Sequence, residues 1–300
     1  YIHRGIEKMC EELTYPQTLA LTDRLDYLGA SQNRHALCMC IEKGLGVEVP
    51  ERVQYIRTIM DELQRIDSHL LFFACLCMDM GALTAFFYGF RDREKVLDIL
   101  EQTTGGRLIQ TYNTIGGVQA DIHPDFVRKV KEFIAYMRPV LREYHEIFTG
   151  NVIAQERLKG TGVLTREDAI SFGATGGTGR AAGWACDVRK RHPYAVYGKV
   201  DFEEVLFTEG DCLARYMVRM REIEQSMNII EQLIDNIPEG EYQLKMKPVI
   251  RGDKFPYRMK FRSTGLPLVS CLETIARGTK IADLIAIGGT LDYVVPDIDR

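Results

Sequence analysis

The chain has 300 residues, of which 46% are hydrophobic and 27% are charged, and its formal net charge is −4. That balance is typical of a globular protein, and the slight acidity argues against a nucleic-acid partner, which would require a basic face. The most apolar stretch, Leu70–Leu83, contains Asp79 and is shorter than the roughly 18 residues that a transmembrane helix needs, so the sequence predicts no membrane span.

Helical periodicity dominates the chain. In chain order, the predicted helices are Asn33–Gly44, Glu51–Met80, Arg93–Thr103, Asp125–Phe148 and Glu203–Ile237. The second is the clearest, because apolar residues recur at steps of three and four after a proline and then merge into a run that is apolar on all sides.

Other signals are weaker. Glycine pairs at 105–106, 116–117 and 176–177 predict loops, and Pro256–Arg262 and Leu284–Ile287 are candidate strands. The basic run 189–191 is expected to form a solvated loop face. We therefore predict one mainly α domain over residues 1–300, with minor β structure near its C-terminal end (an α+β class).

The eight cysteines form no metal-binding pattern. Two C-x-C pairs, at 38–40 and 75–77, lie in apolar runs predicted to be helical, where positions i and i+2 point to different faces. We interpret the cysteines as buried free thiols of a protein from a reducing compartment.

Two stretches of the chain, one near each end, are informative together. Residues 22–50 read TDRLDYLGASQNRHALCMCIEKGLGVEVP, and the chain ends LDYVVPDIDR. Both resemble the ends of the large subunit of [NiFe] hydrogenases, where a C-x-x-C pair at each end holds the metals. The corresponding positions here are Asp26, Gly29, Val294 and Asp297. None supplies a soft thiolate, so a nickel–iron centre would have no ligands.

A hydrogenase-like scaffold without its metal ligands resembles the D subunit of the quinone module of respiratory complex I. Motifs such as HRGIEK, DRLDY, IRxIxxELxRIxSHL, YxxIGGV and PYRMKFR occur in the order of that family and cover nearly the whole chain. The resemblance implies a hydrogenase-large-subunit-like helical core. It also implies an N-terminal β-hairpin with a histidine, outside this sequence, and a further segment between Arg251 and Gly252.

The resemblance assigns two catalytic residues. Tyr27 would donate a hydrogen bond to the quinone headgroup, since a tyrosine hydroxyl is a neutral donor at pH 7. Asp79, in an apolar run, is expected to be buried and paired with the hairpin histidine, so that the two could exchange a proton. The alternatives are a structural tyrosine whose hydroxyl is satisfied by backbone, and an aspartate that caps a helix or pairs with an arginine.

Further residues are weaker candidates. His69 is a candidate quinone ligand, although a lone helical histidine is more often a satisfied core residue. Arg4, Arg57 and Arg65 could tune an electron-donating cluster across an interface or anchor that interface. Ile109 stands where family members often have a histidine near the terminal cluster, which predicts a lower and less pH-dependent cluster potential and a low-potential quinone such as menaquinone.

The implied function is that of a catalytic subunit of a proton-pumping NADH:quinone oxidoreductase. Ubiquinone or menaquinone is the substrate, a [4Fe–4S] cluster lies in a partner protein, and the chain alone binds no cofactor. The implied partners are the iron–sulfur B subunit, the C subunit, other peripheral-arm subunits and the membrane-arm H subunit at the mouth of the pocket. The implied location is peripheral, on the cytoplasmic face of a bacterial inner membrane, with the mitochondrial matrix side as the alternative.

NADH enters this interpretation only through the family. The glycine-rich stretch Gly173–Gly179 lacks the strand–GxGxxG–helix context of a dinucleotide site. Alternative functions are an equivalent component of a complex fed by reduced ferredoxin or a deazaflavin, and a non-catalytic scaffold with a hydrogenase-like fold. A membrane-bound hydrogenase is opposed by the absent thiolates.

Overall fold

Helices make up most of the computed structural model, which describes residues 5–245 and 254–299. Of the described residues, 64% are helical and four form one small sheet, which confirms the mainly α class with minor β. The helices are α1 Ile6–Glu12, α2 Tyr15–Thr22, α3 Ala30–Leu45, α4 Glu51–Asp79, α5 Leu83–Thr104, α6 Phe126–Tyr144, α7 Val152–Leu158, α8 Arg166–Phe172, α9 Gly176–Ala181, α10 Val188–Arg191, α11 Cys212–Ile234, α12 Gly265–Ala276, α13 Leu284–Leu291 and α14 Val295–Asp299.

Helix α4 is the centre of the fold and lies within one residue of its predicted bounds. Pro50 precedes it in extended conformation, and Glu51 in its first turn is favoured by the helix dipole. Between its first and last turns the helix is buried on nearly all sides, because α5 and α11 pack along it. It contributes more buried apolar side chains to the main hydrophobic core than any other helix does.

Helices α4 and α5 approach each other closely at Gly89. A Cβ atom at this position would lie 2.8 Å from the Cβ of Ala74, so only glycine fits without a shift of one helix. Glycine lowers helix propensity, and this explains why the sequence predicted the helix only from Arg93, whereas α5 begins at Leu83.

The predicted start of the last long helix, Glu203–Ile237, was wrong. Helix α11 begins at Cys212, not Glu203, because Asp211 caps it by accepting a hydrogen bond from the Ala214 N–H at 2.7 Å. Gly210, just before the cap, has φ 65°, and an added Cβ there would collide with the Leu164 carbonyl oxygen. The segment 203–210 is not helical.

The short elements differ most from the predictions. Leu284–Ile287, predicted as a strand, begins α13, since a four-residue apolar run does not distinguish strand from helix. The 176–177 glycine pair opens α9 rather than a loop. Pro256–Arg262 has no strand partner among the described residues. The β structure is instead an antiparallel hairpin in mid-chain, β1 Asn113–Thr114 and β2 Gly117–Val118.

The other predicted helices are present. Asn33–Gly44 lies within α3, and Asp125–Phe148 corresponds to α6 followed by a π-helical turn, His145–Thr149. In the described part of the chain, no helix combines the length and the hydropathy that crossing a membrane requires.

Most of the cysteines are buried free thiols, as expected, but three are not. Cys40 is exposed, and Cys75 and Cys186 are half-buried. These three correct the prediction that all of the thiols lie in the core.

Candidate functional site

The positions that would hold metal-binding cysteines in a hydrogenase come together at one cavity. Asp26 follows α2, Asp297 lies in α14, and both line a cavity of about 1020 Å³. Burial is the main cause that raises the pKa of Asp26 to about 6, and the nearby charges of Asp292 and Asp297 add to it. The two ends of the chain thus form one cleft, hereafter the Asp26–Asp297 cleft.

Asp297 serves as a helix cap in this cleft. Its Oδ2 accepts hydrogen bonds from the Thr264 N–H at 2.7 Å, the Gly265 N–H at 2.6 Å and the Ser263 hydroxyl at 2.9 Å. Those N–H groups begin α12, where a carboxylate is favoured by the helix dipole. The residue that replaces a thiolate therefore stabilises the fold directly.

The donor set does not fit a nickel–iron centre. Asp26 and Asp297 offer hard oxygen atoms, and Gly29 and Val294 offer no ligand atom. Among residues 5–245 and 254–299, no group of three or more His, Cys, Asp or Glu side chains could hold a metal ion.

Tyr27 lies next to Asp26 in the turn between α2 and α3. Its side chain is 41% exposed, and its hydroxyl makes no hydrogen bond with another residue in the described part of the chain. Asp26 shapes this turn by accepting a hydrogen bond from the Leu28 N–H at 2.9 Å. The phenol is therefore held on a short, fixed turn with its donor available to a ligand.

Asp79 is the last residue of α4, and its expected burial was wrong. The side chain is exposed, because the helix ends there and the chain turns at Gly81. No basic side chain of the described residues pairs with it. Partial burial of the carboxylate raises its pKa. The negative end of the helix dipole also disfavours the charged form. Across from it, a Cβ on Gly289 of α13 would lie 3.3 Å from its Oδ2.

His69 lies in the core between α4 and α11. Its Nε2 is 2.9 Å from Glu222 Oε2, and Glu222 also accepts a hydrogen bond from Arg180 Nε at 2.8 Å. Burial lowers the pKa of His69, although Glu222 opposes the shift. The imidazole is consequently neutral at pH 7 and donates to Glu222, as a core histidine does. Its predicted contact with quinone stays a prediction.

The arginine candidates are placed inside the fold. Arg57 is 2% exposed and donates to both oxygens of Glu42 and to the carbonyls of Thr114 and Gly117. Arg65 lies 3.3 Å from Glu62 through its Nε. These contacts anchor the fold.

The two remaining interface candidates differ in what the structure describes. Arg4 lies outside the described residues, as does the Arg251–Gly252 junction. Ile109 is half-buried in the loop after α5, where its carbonyl oxygen would lie 2.7 Å from a Cβ on Gly106. The interface roles of all four residues stay predictions.

A buried ion-pair centre at Glu62 was missed from the sequence. Glu62 accepts hydrogen bonds from Arg189 Nη1 at 3.0 Å, the Tyr197 hydroxyl at 2.6 Å and the Ser226 hydroxyl at 2.5 Å. Burial would raise its pKa, but the charges of Arg189 and Arg65 and these hydrogen bonds lower it to about 2. Arg189 is 3% exposed, whereas Lys190 and Arg191 are exposed. The predicted solvated face is therefore wrong for Arg189 alone, and the run ends α10 rather than lying in a loop.

Known proteins resemble the chain over its whole length. The family model described as "Respiratory-chain NADH dehydrogenase, 49 Kd subunit" matches residues 79–250 and 245–300. The C/D subunit of the NADH-quinone oxidoreductase of Phocaeicola vulgatus is 80% identical over 324 aligned positions, which cover 100% of this chain and 62% of that protein. The protein of the same name from Bacteroides thetaiotaomicron is 72% identical, with 100% and 61% covered.

A shorter relative matches nearly end to end. The D subunit of the NADH-quinone oxidoreductase of Geobacillus kaustophilus is 40% identical, with 100% of this chain and 88% of that protein covered. The chain spans about three fifths of the length of the C/D relatives and most of the length of the D relative. These matches confirm the resemblance inferred from the motifs. The chain belongs to the family of the 49 kDa subunit of respiratory-chain NADH dehydrogenase.

Proposed function

We propose that this chain forms the quinone-reduction site of a proton-pumping NADH:quinone oxidoreductase. The observation that carries the proposal is the Tyr27 hydroxyl, which has no hydrogen-bond partner among the described residues. Tyr27 does not itself line the Asp26–Asp297 cleft, but it directly follows Asp26, which does, and carboxylates stand at two of the four thiolate positions. A scaffold of this kind keeps a ligand-sized cleft and a hydrogen-bond donor while it has lost the metal chemistry.

The proposed chemistry is the reduction of a quinone to a quinol by two electrons and two protons. The Tyr27 hydroxyl donates a hydrogen bond to a quinone carbonyl oxygen and stabilises the negative charge that grows there. Asp79, exposed and with a raised pKa, exchanges protons with the histidine of the hairpin implied by the family. The electrons arrive from a [4Fe–4S] cluster in the partner B subunit, and this chain binds no cofactor alone.

The proposed partners follow the names of the relatives. Two relatives are named as C/D proteins, so the C portion is proposed to belong to the same polypeptide as this chain. The B subunit and other peripheral-arm subunits would cover the cleft, and the membrane-arm H subunit would close its mouth. The proposed location is the cytoplasmic face of a bacterial inner membrane, held there by these partners.

We propose further that residues 1–300 form one domain from which a segment between Arg251 and Gly252 is absent. The C/D alignment spans 324 positions against the 300 residues of the chain, so the relative has residues that this chain lacks. The two stretches matched by the family model meet at 245–250, which supports this place for the missing segment.

The electron donor is tested with the purified complex. We expect inhibitor-sensitive reduction of a short-chain naphthoquinone with NADH as donor. Activity with reduced ferredoxin or a reduced deazaflavin, and none with NADH, would favour the alternative complexes instead. If a fully assembled complex reduced quinone with none of the three donors, the result would favour the non-catalytic scaffold.

Ile109 leads to a prediction about the terminal cluster. An isoleucine side chain neither carries a proton nor donates a hydrogen bond, so it cannot couple cluster reduction to proton uptake. We expect the midpoint potential of the terminal cluster to be low and nearly independent of pH. Ile109→His should raise it and introduce a dependence on pH between about 5 and 8.

The measurement is a redox titration of the cluster signal by electron paramagnetic resonance at several pH values. Leu108→His, an exposed neighbour, is the matched control for a general effect of an added histidine. A wild-type slope near one proton per electron would contradict the prediction.

A further inference from the structure

Asp292 occupies an unusual position at the end of α13. It is the residue at which the helix stops, with φ 59° and ψ 54°, in the left-handed region that few non-glycine residues adopt. Aspartate and asparagine are the most tolerant of it after glycine. Its carboxylate remains 26% exposed, so this backbone conformation presents a charged group at a partly open surface.

One oxygen of Asp292 is fixed by Arg219. Arg219 Nε lies 2.9 Å from Asp292 Oδ2, and the arginine side chain is 4% exposed. The guanidinium also lies over the Phe72 ring, 4.4 Å from its centroid, and donates to the Arg215 carbonyl at 2.8 Å. Since α4 and α11 both hold the guanidinium, the carboxylate attached to it has one orientation.

The other oxygen of Asp292 accepts no hydrogen bond from another described residue. The charge of Asp292 acts on two groups of the proposed site: it raises the pKa of Asp26 and that of Cys75, which lies one turn before Asp79. Gly289, one turn before Asp292 on α13, packs against the Asp79 carboxylate. Asp292 therefore lies near both Asp26 and the end of α4 that carries Asp79, and one of its oxygens has no hydrogen-bond partner among the described residues.

We propose that Asp292 is a positioning residue that accepts a hydrogen bond from a hydroxyl of the quinol product. This inference rests on the proposed function. A carboxylate is an acceptor only, and an oxidised quinone offers only carbonyl acceptors, so the two gain nothing from each other. A quinol has two O–H donors. Asp292 consequently favours the reduced product, while Tyr27, a donor, favours the quinone and its developing charge.

The test compares quinone and quinol affinities in the assembled complex. Asp292→Asn keeps the shape and tolerates the left-handed conformation, but its amide accepts without a charge. Because the amide still accepts but carries no charge, the hydrogen bond is weakened rather than lost, and the product-inhibition constant of the reduced short-chain naphthoquinone should rise about five- to tenfold. The KM of the oxidised form should stay within about twofold.

The ratio of these two constants does not depend on how much complex assembles. Asp235→Asn is the matched control, since Asp235 also ends a helix, α11, and pairs with a base, Lys131, at 2.5 Å. If Asp292→Asn fails to assemble, Asp292→Glu keeps the charge but displaces the oxygen, and it should also raise the inhibition constant.

Two results would overturn the inference: both constants rise by one factor, or the inhibition constant does not change. Those results differ from the ones that would contradict the proposed function itself. In that case Tyr27→Phe would leave quinone reduction intact or the wild type would not reduce quinone at all, and the Asp292 inference would fall with it.

Discussion

Tyr27→Phe should lower quinone reduction by roughly 100-fold while the complex stays assembled. The substitution removes one hydroxyl, and the loss of a single donor to a developing oxyanion typically costs about 10²–10³ in rate. The ring is 41% exposed and its hydroxyl has no hydrogen-bond partner among the described residues, so stability should change little. The measurement is inhibitor-sensitive NADH:naphthoquinone reductase activity of the purified complex.

The control reaction is reduction of ferricyanide, which bypasses the quinone site and reports on assembly. Tyr242→Phe is the matched variant, because Tyr242 has a similar exposure of 39%. We expect full ferricyanide activity in both variants and a loss of quinone reduction only at Tyr27. If Tyr27→Phe retained quinone reduction, Tyr27 would be structural and the scaffold function would gain support.

Glu62→Gln should strongly destabilise the chain. Glu62 is fully buried, and its loss of charge leaves Arg189 without one of its two buried carboxylate partners, the other being Asp187. Breaking a buried ion pair in this way costs about 3–5 kcal/mol. We expect the thermal midpoint of the chain within its complex to fall by roughly 5–15 °C.

The matched control is Glu231→Gln, a surface partner of Arg138 whose side chain is 47% exposed. Exposed pairs contribute at most about 1 kcal/mol, so its midpoint should change by little. The pKa of Glu62 is lowered, so its contribution is complete above the ordinary pKa of glutamate. The contribution is lost as the pH falls toward 2, and the difference from wild type should shrink below about pH 4.5. Equal midpoints for Glu62→Gln and wild type at pH 7 would contradict the assigned ion pair.

The long helices could be predicted because their signals are local. Helix α4 shows an apolar period, a proline before its start and an acidic first turn, all within one segment. The strand predicted at Leu284–Ile287 was wrong because four apolar residues are too few to show a period. Their helical conformation depends on packing against α4, which the local sequence does not reveal. The start of α11 failed because acidic and apolar residues before Asp211 continue a helical pattern that the cap interrupts.

The site was predicted only in part. Motif resemblance, not periodicity, singled out Asp26 and Asp297, and the structure shows that both line one cavity. The exposure of Asp79 was missed because the apolar run around it does not reveal where the helix ends. The ion pairs Glu62–Arg189 and Arg219–Asp292 join residues 127 and 73 positions apart. Such partners depend on how helices pack, and no local pattern specifies them.

The most direct test of the quinone site is photolabelling of the complex with an azido-quinone, followed by tryptic digestion and mass spectrometry. Tyr27 lies in the predicted tryptic peptide Leu25–Arg34, and Asp79 lies in Ile66–Arg91. We expect label in one or both peptides, and excess unlabelled quinone should remove it. Competed label confined to other segments of this chain, or to partner proteins alone, would contradict the claim that this cleft reduces quinone.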